Sequence, residues 1–76
     1  MSRLWLVVEQ SDTGIFLHFA DCLESAYAVC DEIFDGQTNT VSAHMKTTGK
    51  SFVDQDLTIS VPMPVDAGLL VDIDDL

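Results

Sequence analysis

The chain has 76 residues, enough for one small domain and too few for two. Thirteen acidic residues against three basic ones give a formal net charge of −10 at pH 7. This charge argues against direct binding to DNA, RNA or an anionic membrane, because all of these attract basic surfaces. Hydrophobic residues make up 47% of the chain, so we expect a folded domain over residues 1–76 rather than disorder.

The first two predicted elements are strands that form an antiparallel hairpin. Residues 4–9 are apolar on both faces, which is typical of an interior strand. Ser, Asp, Thr and Gly at 11–14 are turn residues, and residues 15–19 read as the second strand. In a regular hairpin, Trp5, Val7 and Phe16 share one face.

A helix is predicted over residues 22–35. Asp21 and Glu24 have the spacing of a capping box, and Gly36 is a natural stop. Apolar residues recur at helical spacing on one side. This stripe consists of Leu23, Ala26, Tyr27, Cys30, Ile33 and Phe34.

The second half of the chain reads as strands. Residues 40–46 alternate apolar and polar, with Val41, Ala43 and Met45 on the inner face. A turn at 47–50 precedes a strand that is broken near 54–56 and then ended by two prolines, at 62 and 64. Residues 65–76 form an acidic C-terminal tail or a short last strand.

The predicted fold class is therefore α+β. It consists of an antiparallel sheet of four to five strands with one helix packed on one face, in the order β-β-α-β-β with an optional final strand.

The two cysteines and the apolar runs predict a cytoplasmic protein. Cys22 and Cys30 fall in one predicted helix, ~12 Å apart, which is beyond disulfide reach. We expect both thiols to stay reduced. The N-terminal apolar run is shorter than the ~7–15 residues of a secretory signal.

No catalytic residue, metal ligand or cofactor is predicted. The sequence at 48–51 resembles the end of a phosphate-binding loop, but His44 stands where that motif needs glycine. The histidines and cysteines lack zinc-ligand spacing.

Acidic residues on the predicted helix form the first candidate binding surface. Glu24, Asp31 and Asp35 lie on one exposed stripe, with Glu32 beside it. Asp31, Glu32 and Asp35 lie at the C-terminal end of the helix, where the helix dipole is already negative. Folding therefore does not explain these three acids. Their spacing of ~6–10 Å is comparable to that of backbone phosphates, so the stripe predicts a nucleic-acid mimic.

Small size, acidity, reduced cysteines and the hairpin–helix–hairpin order resemble phage-encoded anti-defence proteins, especially anti-CRISPR inhibitors. The resemblance implies a non-enzymatic inhibitor acting in the host cytoplasm. Its partner would be a basic, nucleic-acid-handling protein or nucleoprotein complex.

An alternative surface is the apolar side of the hairpin. Trp5, Val7 and Phe16 would then form the interface of a protein interaction or assembly module, which allows a homodimer. In that case the acidity serves solubility only. The other interpretation of this surface is that the tail covers it with Leu69, Val71 and Ile73.

Overall fold

The computed structural model describes residues 3–34 and 39–66. In these residues two strands are followed by two helices and three further strands. The elements are β1 (Arg3–Ser11), β2 (Gly14–Ala20), α1 (Leu23–Ile33), α2 (Thr40–Thr48), β3 (Phe52–Asp54), β4 (Leu57–Ile59) and β5 (Met63–Asp66).

The five strands form one antiparallel sheet with β1 at its centre. The order is β2-β1-β4-β3, and β5 pairs with the other end of β1 on the same side as β4. The predicted hairpin of β1 and β2 is confirmed, with Ser11 opposite Gly14. Gly14 has a φ of 138°, which other residues rarely adopt, so glycine suits this end of the turn.

Both helices pack on one face of the sheet and form the core with it. The fully buried side chains come from strands β1 and β4 and from both helices. They are Val7, Ala26, Cys30, Val41, Met45 and Ile59. The fold is thus a small α+β domain, and its described residues form two helices rather than the single helix that the sequence predicted.

Helix α1 lies close to its predicted position but begins differently. The N-cap is Cys22, whose Sγ accepts a hydrogen bond from the Ser25 N–H at 3.4 Å. The expected capping box with Asp21 as the N-cap is therefore not formed. The predicted stop, Gly36, lies outside the described residues.

The predicted strand at 40–46 is wrong, because this segment is part of α2. Val41 and Met45 face the core, and this spacing of four residues fits both a strand and a helix. The positions between them decide the matter, since Ser42 is buried and Ala43 is exposed. Gly49 ends the helix in the left-handed conformation and donates its N–H to the Met45 carbonyl at 2.8 Å.

The strand that the prolines were predicted to end, β4, stops at Ile59, and a further strand follows Pro62. This strand, β5, begins at Met63 and contains Pro64, which lies opposite Trp5 in the ladder with β1. Ser60 links β4 to β5: its N–H donates to the Val8 carbonyl at 2.9 Å, and its Oγ accepts from the Val8 N–H at 2.8 Å. This serine holds the chain against β1 between the two short strands.

Candidate functional site

Asp31, one of the predicted partner-binding acids, holds the start of α2. Its Oδ1 accepts hydrogen bonds from the N–H groups of Val41 at 3.0 Å and Ser42 at 2.9 Å. Its Oδ2 accepts from the Ser42 hydroxyl at 2.8 Å. Asn39, the N-cap of α2, makes no side-chain capping bond, so Asp31 takes over that role from the preceding helix.

This contact gives Asp31 a structural role that the sequence pattern did not indicate. Asp31 does lie near the negative end of α1, but its carboxylate meets the positive end of α2. Folding therefore explains this acid.

The other predicted acids are distributed as follows. Glu24 in the first turn of α1 and Glu32 near its end are both exposed. Asp35 lies outside the described residues. Within the described part of the stripe, Glu24 and Glu32 are thus the acids that remain exposed for a partner.

The alternative interface lies on the covered face of the sheet. Trp5, Val7 and Phe16 do share a face, as the ladder of β1 and β2 shows. That face carries the helices, however: Val7 is 1% exposed, and Trp5 packs against the core cluster. Phe16 alone of the three is well exposed. The prediction that these three side chains form an uncovered apolar surface is therefore corrected.

No element of residues 3–34 and 39–66 covers the opposite side of the sheet, which we call the open face. Its residues follow from the ladders of β1 with β2, β4 and β5 and of β3 with β4. They are Leu4, Leu6, Val8, Gln10, Ile15, Leu17, Phe19, Val53, Thr58, Met63 and Val65. Five large apolar side chains among them are between 41% and 66% exposed: Ile15, Leu17, Phe19, Val53 and Met63.

None of the described residues on the open face is Asp, Glu, Lys or Arg. This is notable in a chain with 21% charged residues. Contiguous exposed apolar patches on small proteins mark interaction sites. Sequence reasoning missed this face because both faces of the hairpin are apolar, so the strands do not indicate which one the helices cover.

Acidic side chains also gather at one end of the sheet. A groove of about 270 Å³ lies between the β1–β2 turn, the β3–β4 turn and the end of α1. Its apolar walls include Ile33, Phe34 and Leu57, and its rim includes three aspartates, Asp12, Asp54 and Asp56. No Lys or Arg lines the groove among the described residues.

The two cysteines lie in different environments. Both are free, with Cys22 exposed and Cys30 buried. Burial raises the pKa of the Cys30 thiol to about 11, and the nearby Asp31 carboxylate adds to this effect. Cys30 is therefore a poor nucleophile, whereas Cys22 is accessible to reagents.

Across residues 3–34 and 39–66, no three His, Cys, Asp or Glu side chains come together as metal ligands. In the same residues no helix has the length and apolar character needed to span a membrane.

Comparison of the chain with models of protein families, with curated proteins and with solved structures gives no match.

Proposed function

We propose that this protein is a non-catalytic binding protein that docks through its open face. The partner that fits is a protein with an apolar patch bordered by Lys and Arg. One observation carries the proposal: the open face exposes large apolar side chains and has no charged described residue, in a chain of net charge −10. Burial of this face against the apolar patch of the partner is favourable, because no charged group on the face has to be desolvated.

The Lys and Arg residues that we expect on the partner are inferred from the aspartates of this protein, which they would complement in charge. Asp12 lies in the turn between β1 and β2, and Asp54 and Asp56 lie at the turn between β3 and β4. Both turns lie at the same end of the sheet, where its two faces meet, although Asp54 itself is on the covered side, opposite Leu57. Acidic groups at the edge of an interface attract a basic partner and speed its association.

Proteins that handle nucleic acids carry such basic surfaces. An acidic protein docked beside a basic channel competes with the phosphate backbone for it. Inhibition of a nucleic-acid-binding effector, which the resemblance to anti-CRISPR proteins implies, then needs no catalytic centre.

A second candidate function uses the acidic surface alone, as a mimic of nucleic acid. The groove rimmed by Asp12, Asp54 and Asp56 favours it. A Lys or Arg side chain of a partner fits such a groove, because its aliphatic stem packs on apolar walls and its head meets carboxylates. In this candidate the open face contributes little to the affinity.

The experiment compares three full-length proteins in affinity capture from a cell lysate, followed by binding measurements with the purified partner. They are the wild type, an open-face variant (Val53→Thr with Met63→Gln) and an acid variant (Asp12→Asn, Asp54→Asn and Asp56→Asn). The open-face variant keeps the net charge, and circular dichroism checks the folding of both variants.

The proposal predicts a basic, nucleic-acid-handling partner. We expect the open-face variant to bind it at least tenfold more weakly at any salt concentration, because apolar contacts at an interface centre dominate affinity. We expect the acid variant mainly to associate more slowly, with the difference vanishing at high salt.

Two results would overturn the proposal. Loss of binding in the acid variant alone, with the open-face variant unaffected, selects the nucleic-acid mimic. A partner without a basic surface contradicts both candidates.

A further inference from the structure

Strand β2 presents an unpaired backbone edge. It pairs with β1 on one side, and no described residue pairs with its other side. The N–H and carbonyl of Val8 bond to Ser60, on the side of β1 away from β2. Leu17 lies opposite Val8, so this is a pair without mutual hydrogen bonds, and the backbone groups of Leu17 point outward. By alternation, those of Ile15 and Phe19 do the same.

Strand β2 itself lacks the sequence features that normally prevent pairing. Edge strands are commonly protected by Lys, by Pro, by inward charges or by being very short. β2 has seven residues and contains no Pro and no Asp, Glu, Lys or Arg. The strands on the other side of the sheet are protected: β3 has three residues, and β5 carries Pro64.

We infer that two copies of this chain pair antiparallel through their β2 edges, with Leu17 on the two-fold axis. The sequence of β2 is self-complementary in this register. Leu17 lies opposite Leu17 of the second copy, and Ile15 lies opposite Phe19. On the other face Phe16 lies opposite His18. Pairs between aromatic and branched side chains are among the favourable cross-strand pairs.

The register also matches the backbone. Ile15, Leu17 and Phe19 have outward-pointing N–H and carbonyl groups. Each of them lies opposite a residue of the second copy whose N–H and carbonyl groups also point outward. The two-fold axis therefore creates a regular ladder of hydrogen bonds without shifting either sheet.

Pairing enlarges the docking surface, a consequence that rests on the proposed function. One sheet, with a nine-residue central strand and four strands across, offers an open face of ~500 Å². A standard interface buries ~800 Å² on each partner, so one copy alone would form a smaller interface of the transient class. Two paired sheets make one continuous open face of ~1,000 Å², which is sufficient.

Charge opposes the pairing and provides a signature for it. Each copy has a net charge of −10, and the turn carrying Asp12 approaches Asp21 of the second copy in this register. Salt screens such repulsion. The dimer should therefore strengthen as salt rises, whereas binding to a basic partner should weaken.

A disulfide across the axis tests the register directly. In the full chain with Cys22→Ser, which keeps a capping side chain, Leu17→Cys places two thiols on the axis. The Cα atoms of such a hydrogen-bonded pair lie ~5.5 Å apart, within disulfide range. The matched control is Val53→Cys, on the same face and at least as exposed but at the far edge. We expect dimer formation under mild oxidation to be at least tenfold faster for Leu17→Cys.

A second pair of variants avoids cysteine. Leu17→Lys and Val53→Lys change the net charge equally and both replace exposed side chains. We expect sedimentation to show a dimer for the wild type and Val53→Lys, and a monomer for Leu17→Lys.

A wild type that stays monomeric at high salt would overturn the inference and leave the proposed docking function untouched. Equal cross-linking at positions 17 and 53 would also overturn it, since that result indicates stacking of open faces or a covered β2 edge.

Discussion

The two faces of the sheet carry similar apolar side chains but lie in different surroundings. On the covered face, Val7 and Ile59 are fully buried among side chains of both helices. On the open face, Ile15 and Leu17 are 63% and 57% exposed. Because hydrophobic stabilisation scales with the area removed from water, the same residue types stabilise the fold on one face and contribute little to stability on the other.

The sharpest way to test this contrast is to truncate an isoleucine on each face. Ile59 is fully buried and Ile15 is 63% exposed. We expect Ile59→Ala to lower the free energy of unfolding by ~2–5 kcal/mol, because it removes buried methyl groups and leaves a cavity. Ile15→Ala should cost no more than ~1 kcal/mol, through lower strand propensity. Urea titration at low protein concentration measures both.

Equal losses of stability in these two variants would contradict the assignment of the faces. That result would mean that Ile15 is covered in the monomer.

The covered face depends on α2 being held over the sheet, and Asp31 provides that hold. We expect Asp31→Ala to lower the free energy of unfolding by ~2–3 kcal/mol, because the N–H groups of Val41 and Ser42 lose a charged acceptor. Glu32→Ala is the matched control, since it removes the next acid along the chain from an exposed position. Its expected effect is within ~0.5 kcal/mol.

The same urea titrations compare the two variants. A loss of stability in Glu32→Ala that matched the loss in Asp31→Ala would argue against the capping role. It would point instead to a general effect of removing acidic charge.

The core beneath the helices also makes the free energy of unfolding depend on pH in the alkaline range. The pKa of Cys30 is about 11 in the folded chain against 9.0 for a free thiol, so the unfolded state ionises first as pH rises. The stabilisation is complete below pH 9 and is lost as pH rises through 11. We expect a loss of ~3 kcal/mol across that window, since one pKa unit corresponds to ~1.4 kcal/mol.

The control is Cys30→Ala, because the difference between the two proteins isolates this thiol from every other titrating group. Denaturant titrations at a series of pH values provide the measurement. Parallel pH profiles for the two proteins would show that Cys30 is accessible to water.

Elements with a strong local pattern were predictable from the sequence. The hairpin follows from two apolar runs joined by turn residues, and α1 from its apolar stripe, of which Ala26 and Cys30 are fully buried. A break in the strand near 54–56 was also predicted, and a turn at 55–56 joins β3 to β4 there. In each case the local pattern fits one structure much better than any other.

The remaining features depended on contacts between elements. Residues 40–48 fit a strand and a helix almost equally, and the Asp31 carboxylate together with the buried face of Val41 and Met45 supports the helix. The role of Asp31 itself was hidden because its partners lie ten residues away in the chain.

The sequence by itself determined that the chain folds as a small, acidic α+β domain with a hairpin and a helix, since composition and local periodicity are properties of the chain alone. Only the tertiary structure decided which face of the sheet is covered. Val7 and Val8 are equally apolar neighbours that point to opposite faces, so nothing in β1 itself distinguishes them. The two helices could pack on one of these faces, and the choice came from how all the elements fit together.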